Sequence, residues 1–408
     1  MENCMNGHVR FIILICIIFT LCSLIYFGYF CSDKVCAFTG RASESDYSRI
    51  LAPLAQQASV GKPLSFAAAK ARQPKHDNKQ TKFSFEDIET SEKKVVFDIR
   101  RSDVIVFLHI QKTGGTSFGR HLVQDLDLEK PCDCRENRKK CKCTRPNSNI
   151  SYWLFSRYST GWLCGLHADW TELTNCVDST LNQREVKQIK RRYFYVTLLR
   201  DPIQRFLSEF LHVQRGATWK QARHWCGGKE ATTDELPPCF QDETWDDVQL
   251  DEFMSCKSNL AINRQTRMLA NLDLVGCYNT SLMTPEERDT IMLSSAKENV
   301  RKMAFFGLCE HQLINQYLFE NIFDMHFLTQ FRQFNETHVA TLLKSVSTAQ
   351  VEQIRQLNRL DIELYEYAQT LLLQRFEQMK NSDPHFKNRF RNLGRLKKTE
   401  FRWEDIEE

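Results

Sequence analysis

The stretch VIVFLHIQKTGGTSFGRH, residues 104–121, constrains this chain more than any other. An apolar run, a polar turn around a Gly-Gly pair and a helix-like continuation read as a buried strand that empties into a turn and then a helix. A strand buried on both faces belongs to a parallel sheet with helices packed over it, so this one unit already implies an α/β domain. The turn has a chemical meaning as well. Glycines let the backbone approach a ligand, and the first amides of a helix, with the positive end of its dipole, form a site for phosphate. Thr113, Thr116 and Ser117 add hydroxyl donors and Lys112 adds a mobile positive charge. Two common nucleotide templates do not fit. The Walker pattern puts its lysine after the last glycine, and the dinucleotide fingerprint needs G-x-G-x-x-G, so a P-loop kinase and a dehydrogenase are both disfavoured.

A second stretch, YFYVTLLRDPIQRFLSEFLHVQR (193–215), again runs strand, polar turn, helix. Arg200 ends the apolar run, Pro202 suits the first turn of a helix and Ser208 lies two turns in. An arginine at a strand's end can fork onto a phosphate, and a serine hydroxyl can add a bond. Two such turns in one sheet describe a ligand with two phosphate groups, bound outside the carboxyl ends of the strands. A third apolar run, AFFGL (304–308), and helical periodicity over 351–379 extend the alternation, so residues 95–380 read as one domain. At 408 residues and 42% hydrophobic, the chain can bury such a core.

Residues 11–30 are twenty consecutive residues without a charge, enough to cross a bilayer once as a helix of about 1.5 Å rise per residue. The apolar part of a cleaved signal peptide is shorter, about 7–15 residues, so the run reads as an uncleaved anchor after a cytosolic tail of residues 1–10. Basic residues on both flanks (Arg10; Lys34, Arg41) leave orientation undecided by charge. Glycosylation sequons at Asn149, Asn279 and Asn335, with eleven cysteines from Cys132 to Cys309, favour a body in the secretory lumen. Eleven is odd, so one thiol is left outside any pairing within this set. Residues 31–94 lack aliphatic runs and read as a stem; residues 381–408 read as a charged, solvated extension. The net charge of +4 makes whole-molecule attraction to polyanions weak and leaves any such role to local patches, and no nucleic-acid partner is expected. The CDC and CKC pairs at 132–134 and 141–143 could also supply four thiolates to zinc. Their C-x-C spacing and the lumenal setting favour disulfides instead, and no metal is expected.

The KTGGTS turn with its LRDPIQRFLS partner resembles the sulfotransferases that use 3′-phosphoadenosine 5′-phosphosulfate (PAPS). With PCDC, KKCKC, GWLCGLHADWTELTNCV, HVQRGATW and NRQTRMLANLDLVGCYN, residues 104–378 are more narrowly similar to heparan-sulfate 6-O-sulfotransferases. The resemblance implies a P-loop-like sulfotransferase fold, a central mainly parallel sheet flanked by helices, here with an N-terminal transmembrane helix. It also implies a Golgi enzyme of type II topology that moves a sulfonate from PAPS to the 6-hydroxyl of glucosamine, N-sulfated residues preferred.

It assigns residues in turn. His109, Ile110, Gln111, Lys112, Thr113, Gly114, Gly115, Thr116 and Ser117 form the 5′-phosphosulfate loop, with Lys112 neutralising the leaving phosphate, while Arg200 and Ser208 hold the 3′-phosphate. Arg332, Gln333, Phe334, His338 and Val339 belong to a segment that closes over the nucleotide, His338 standing where the family has arginine. His167, among Trp162, Cys164 and Trp170, is the general base, and Asp169 is near enough in sequence to orient it. Lys139, Lys140, Arg157, Trp162, His212 and Trp219 supply cations and aromatic faces to a sulfated glycan. Two rivals remain: a PAPS-dependent enzyme for another glycan position, and a catalytically silent heparan-sulfate-binding membrane protein. The second has no use for Lys112, His167, Arg200 and Ser208 together.

Overall fold

In the computed structural model the described residues are 80–89, 95–136, 138–218, 222–333 and 338–395. The apolar run 11–30, most of the stem, Trp219, Phe334 and Asn335 lie outside them. No helix among the described residues is long and apolar enough to cross a membrane.

Five parallel strands form the sheet. β1 (Thr81–Lys82) is followed by α1 (Phe85–Glu89), β2 (Asp103–Leu108), α2 (Gly115–Gln124), β3 (Leu154–Phe155), α3 (Trp170–Glu185), β4 (Arg192–Leu199) and α4 (Pro202–Gln214). A two-stranded hairpin, β5 (Trp225–Cys226) and β6 (Lys229–Glu230), then leads to α5 (Leu250–Ser255), α6 (Arg264–Leu269) and α7 (Pro285–Arg301). The last strand, β7 (Phe305–Leu308), is followed by α8 (Gln312–Phe323), α9 (His338–Leu343), α10 (Thr348–Leu357), α11 (Arg359–Ser382) and α12 (Phe386–Arg391).

β2 and β4 lie side by side, paired from Asp103↔Arg192 to Leu108↔Thr197. β3 flanks β2, while β1 and then β7 line the other side of β4. Every residue of β2, and all of β4 after Arg192, is buried, as expected for strands covered on both faces by helices. Phenylalanines fill one of those layers: Phe118 of α2 meets Phe107, Phe305 and Phe319 at ring-centroid distances of 5.2–5.9 Å. Because β2, β4 and β7 run in one direction, their following turns all open at one end of the sheet.

Three sequence expectations change. The helix expected over 351–379 is two, broken at Asn358, whose side chain donates back to the Ile354 carbonyl at 2.9 Å and accepts from Asn263 N–H at 3.1 Å. Residues 80–89, placed in the stem, belong to the domain: β1 pairs with β4, and Phe85 and Ile88 are buried. Residues past 380 do not leave as a solvated tail at once. α11 runs to Ser382, Phe386 and Phe390 of α12 pack on Tyr317, and Leu393 is buried. In the last two cases apolar side chains isolated in a polar stretch find a distant partner.

Candidate active site

β2 ends at Leu108 and the chain turns through Lys112 and Gly114, both in the left-handed region (φ 66° and 82°), before α2 begins. Left-handed backbone costs a lysine about 1–2 kcal/mol, so the turn's shape is held by its surroundings. Thr113 fastens it by donating to the Ile110 carbonyl at 3.0 Å. A Cβ on Gly115 would run into the His109 ring, and one on Gly114 would press on Cys309 Sγ at 3.2 Å. α2 therefore starts on glycine, without a side-chain cap, and its first amides have no intrahelical acceptor. Buried polar atoms around the turn also lack partners among the described residues: His109 Nδ1, Gln111 Oε1 and Arg200 Nε.

The second turn is locked to the first. Arg200, one residue past β4, donates from its guanidinium to the Lys112 carbonyl at 3.3 Å and to Gln204 at 3.4 Å. Gln204, Ser208 and His212 follow at four-residue intervals and share one face of α4, a stripe that starts beside Arg200. Asp201, expected only as part of a polar turn, caps α4 by accepting from Gln204 N–H at 2.9 Å. Cys309, which has no disulfide partner among the described residues, follows β7, lies against Gly114 and feels the charge of Arg200, and burial pushes its thiol up to about 11. This is the odd cysteine of the sequence count.

His167 comes to the same place from a different loop. Its Nδ1 sits 3.0 Å from the His109 carbonyl, an acceptor, so Nδ1 carries the hydrogen and Nε2 is the basic nitrogen. Its ring lies 4.4 Å from that of Trp162 and 5.0 Å from that of His109. Burial, joined by the positive charges of Arg264 and Arg157, pushes the imidazole down to about 3 despite the His109 bond, which acts the other way. It is neutral throughout the physiological range. His167 also takes a left-handed conformation, φ 54°. Asp169 does not orient it: its carboxylate accepts from Glu172 N–H at 2.9 Å as the N-cap of α3, and Glu172 returns the bond in a capping box. The local helix start claims the side chain first.

Two of the expected glycan contacts, Arg157 and Trp162, come together beside this histidine, and a third, Lys140, lies by Gly161. The Arg157 guanidinium lies 5.2 Å from the centre of the Trp162 ring, and a Cβ on Gly161 would come within 3.7 Å of Lys140 Nζ. Lys139 is exposed on the same loop. That loop is tied by Cys132–Cys143 and Cys134–Cys141, which uses up the four sulfurs a zinc ion would have needed. Cys164–Cys176 ties the His167 loop to α3, and Cys226–Cys277 and Cys239–Cys256 complete the set. Arg332 and Gln333 are exposed, and in the orientation its neighbours require, the Gln333 amide donates to the Cys309 carbonyl at 3.1 Å, across the end of β7. The Val339 side chain is 4% exposed in the core beside α4, which leaves only its backbone to a ligand, and His338 opens α9 at the surface. Asn149 is exposed and Asn279 half-buried.

Two turns with unsatisfied donors at the carboxyl ends of parallel strands, and a neutral histidine over them, define a group-transfer site for a phosphorylated donor. Residues 96–368 match the sulfotransferase family, and the chain belongs to it. Within that family it is 53% identical over 305 residues to heparan-sulfate 6-O-sulfotransferase 1-B of Danio rerio, covering 74% of each chain. It is also 53% identical to heparan-sulfate 6-O-sulfotransferase 2 of Gallus gallus, over 71% of this chain and 72% of the other. Identity to heparan-sulfate 6-O-sulfotransferase 1 of Homo sapiens is 53%, over 74% and 72% respectively.

Proposed function

We propose that this chain transfers a sulfonate from PAPS to the 6-hydroxyl of glucosamine in heparan sulfate, N-sulfated residues preferred. The observation that carries the reading is the bond from His167 Nδ1 to the His109 carbonyl, which fixes a base directly on the donor turn. When bound, PAPS supplies the sulfonate and a phosphate leaving group.

His167 Nε2 takes the proton of the sugar hydroxyl, and the His109 carbonyl, accepting from Nδ1, favours the imidazolium so formed. Lys112 and the uncapped amides of α2 hold the charge that collects on the leaving side. Arg200, with an orphaned Nε, and Ser208 hold the second phosphate. Lys139, Lys140, Arg157 and Trp162 grip the glycan, His212 and Trp219 extend that grip, and the segment carrying Arg332, Gln333 and Phe334 covers the nucleotide. Anionic ligands also offset the field of Arg264 and Arg157 and raise the basicity of His167 where it is needed. No metal is required, because this cationic apparatus supplies the positive charge.

The uncharged run 11–30 and the five disulfides fit a single-pass Golgi protein of type II topology with this domain in the lumen, glycosylated at one or more of Asn149, Asn279 and Asn335. The test is transfer of labelled sulfonate from PAPS to N-sulfated heparosan by residues 80–408, followed by disaccharide analysis. Label on the glucosamine 6-hydroxyl is the expected result. Label elsewhere places the error in the acceptor groove, and no transfer despite nucleotide binding makes the silent binder the better reading.

A further inference from the structure

The run Asn263-Arg264-Gln265-Thr266 opens α6 and, beyond the field that Arg264 exerts on His167, takes no part in the chemistry above, yet Arg264, Gln265 and Thr266 are buried. Three of its side chains, those of Asn263, Arg264 and Gln265, are spent on other parts of the fold. Asn263 Oδ1 accepts from the Leu360 and Asp361 amides, at 3.1 and 3.2 Å, at the start of α11. The Asp361 carboxylate accepts in return from the Gln265 and Thr266 amides, at 3.1 and 2.7 Å. Arg264 forks onto Glu209 of α4.

Gln265 reaches the donor side. Its Nε2 donates to the Arg200 carbonyl and its Oε1 accepts from the Arg200 N–H, each at 2.9 Å, with the side chain fully buried. One primary amide thus closes on the main chain at the residue where β4 gives way to the second turn. A carboxylate lacks the donor for this ring, and a lysine or arginine lacks the acceptor. From that clamped backbone the Arg200 guanidinium runs to the Lys112 carbonyl and Gln204, with Nε left over.

We propose that Gln265 is a positioning residue for Arg200: by fixing both peptide groups of that residue it aims the guanidinium at the donor's second phosphate, and so sets the preference for a nucleotide that carries one. This rests on the role given to Arg200 above. Gln265 is fully buried behind the turn, so its effect is read through discrimination between nucleotides.

The experiment measures, by calorimetry, binding of adenosine 3′,5′-bisphosphate and of adenosine 5′-monophosphate to the wild type, Gln265→Met, Gln265→Asn and Arg200→Ala. Methionine keeps the length and removes both bonds, and asparagine keeps the amide one methylene short. Two neutral hydrogen bonds correspond to about a tenfold effect. Gln265→Met is expected to bind the bisphosphate about tenfold more weakly and the monophosphate within twofold of wild type, with Gln265→Asn between. Equal weakening for both nucleotides, or an unchanged preference in a folded variant, overturns the proposal; should the methionine variant not fold, the asparagine variant carries the same test. Arg200→Ala separates the two readings. If it keeps the preference, the role of Arg200 itself is wrong; if it loses the preference while the Gln265 variants keep it, the failure is that of Gln265 alone.

Discussion

The proposed donor turns grow from the ends of β2 and β4, paired along six residues and braced by buried charge, whereas the proposed acceptor side is built from irregular loops whose shape is set by disulfides. Behind Arg200, Glu209 accepts from both Arg205 and Arg264, and the three are at most 3% exposed. Around His167, Trp162 and Lys140 there is hardly any ladder: β3 contributes two residues, and Cys132–Cys143, Cys134–Cys141 and Cys164–Cys176 take over. A nucleotide is a fixed shape and rewards a rigid cradle; a polysaccharide lies across an open surface, where cross-linked loops can present exposed cations without a core beneath each one. The donor side should therefore fail through stability or nucleotide affinity, and the acceptor side through turnover or glycan affinity.

The largest expected effect tests that division at its border. His167→Ala should reduce transfer by about 10²–10⁴-fold, the range of a lost general base, while nucleotide affinity stays within twofold. Lys112→Ala should damage both. Steady-state rates together with calorimetry of the bisphosphate read the difference, and equal loss of nucleotide binding in the two variants would make His167 a structural residue.

Next in size is the buried network. Burial would raise the Glu209 carboxyl, but the guanidiniums of Arg264 and Arg205 outweigh it and hold it at about 2. Glu209→Ala leaves two buried cations without their shared partner and should cost about 3–5 kcal/mol in urea unfolding of the domain. Above the ordinary carboxylate range this group's contribution to stability is complete, and it is lost as pH falls toward 2. A smaller loss is expected on the other side. Cys164→Ala with Cys176→Ala opens a twelve-residue separation, which the chain-entropy account values at about 3 kcal/mol. Its signature should be a raised KM for the glycan and an unchanged affinity for the bisphosphate; parallel losses of both would erase the proposed division.

The smallest effect is an expected absence of change. Because burial holds His167 at about 3, kcat/KM, which reports the free enzyme, should show no acid-side inflection from this group between pH 5 and 7. An inflection near 6.5 that disappears in a His167 variant would contradict the packing of His167 described above. The same lowered value has a stability consequence with a definite sign: the unfolded chain binds a proton there before the folded one does. The contribution is complete above about 6.5 and is lost as pH falls toward 3.

The two turns after β2 and β4, the strands that lead into them and the odd cysteine are legible in the sequence, because each signal is local or a matter of counting: an apolar run, a Gly-Gly pair, an Arg-Asp-Pro helix start. Even there the φ of 66° at Lys112 has no sequence signal, since lysine does not advertise left-handed backbone. The role proposed for His167 comes from the family resemblance, since nothing in its local sequence sets it apart from the other histidines. Proximity in sequence makes its neighbour Asp169 look like an orienting group, but the capping box with Glu172 claims the carboxylate.

What the sequence by itself determined is therefore the α/β alternation, the two turns and the residues placed in them, since these depend on interactions within a few residues. Tertiary structure alone decided which turns meet, which nitrogen of His167 is basic, and that Gln265 and Asp361 stand behind Arg200. The Gln265 to Arg200 bonds span 65 residues and the Asp361 to Gln265 bond spans 96. Such pairings form only once the sheet and helices have brought distant segments together, and a buried polar side chain then takes whichever partner the fold places within reach.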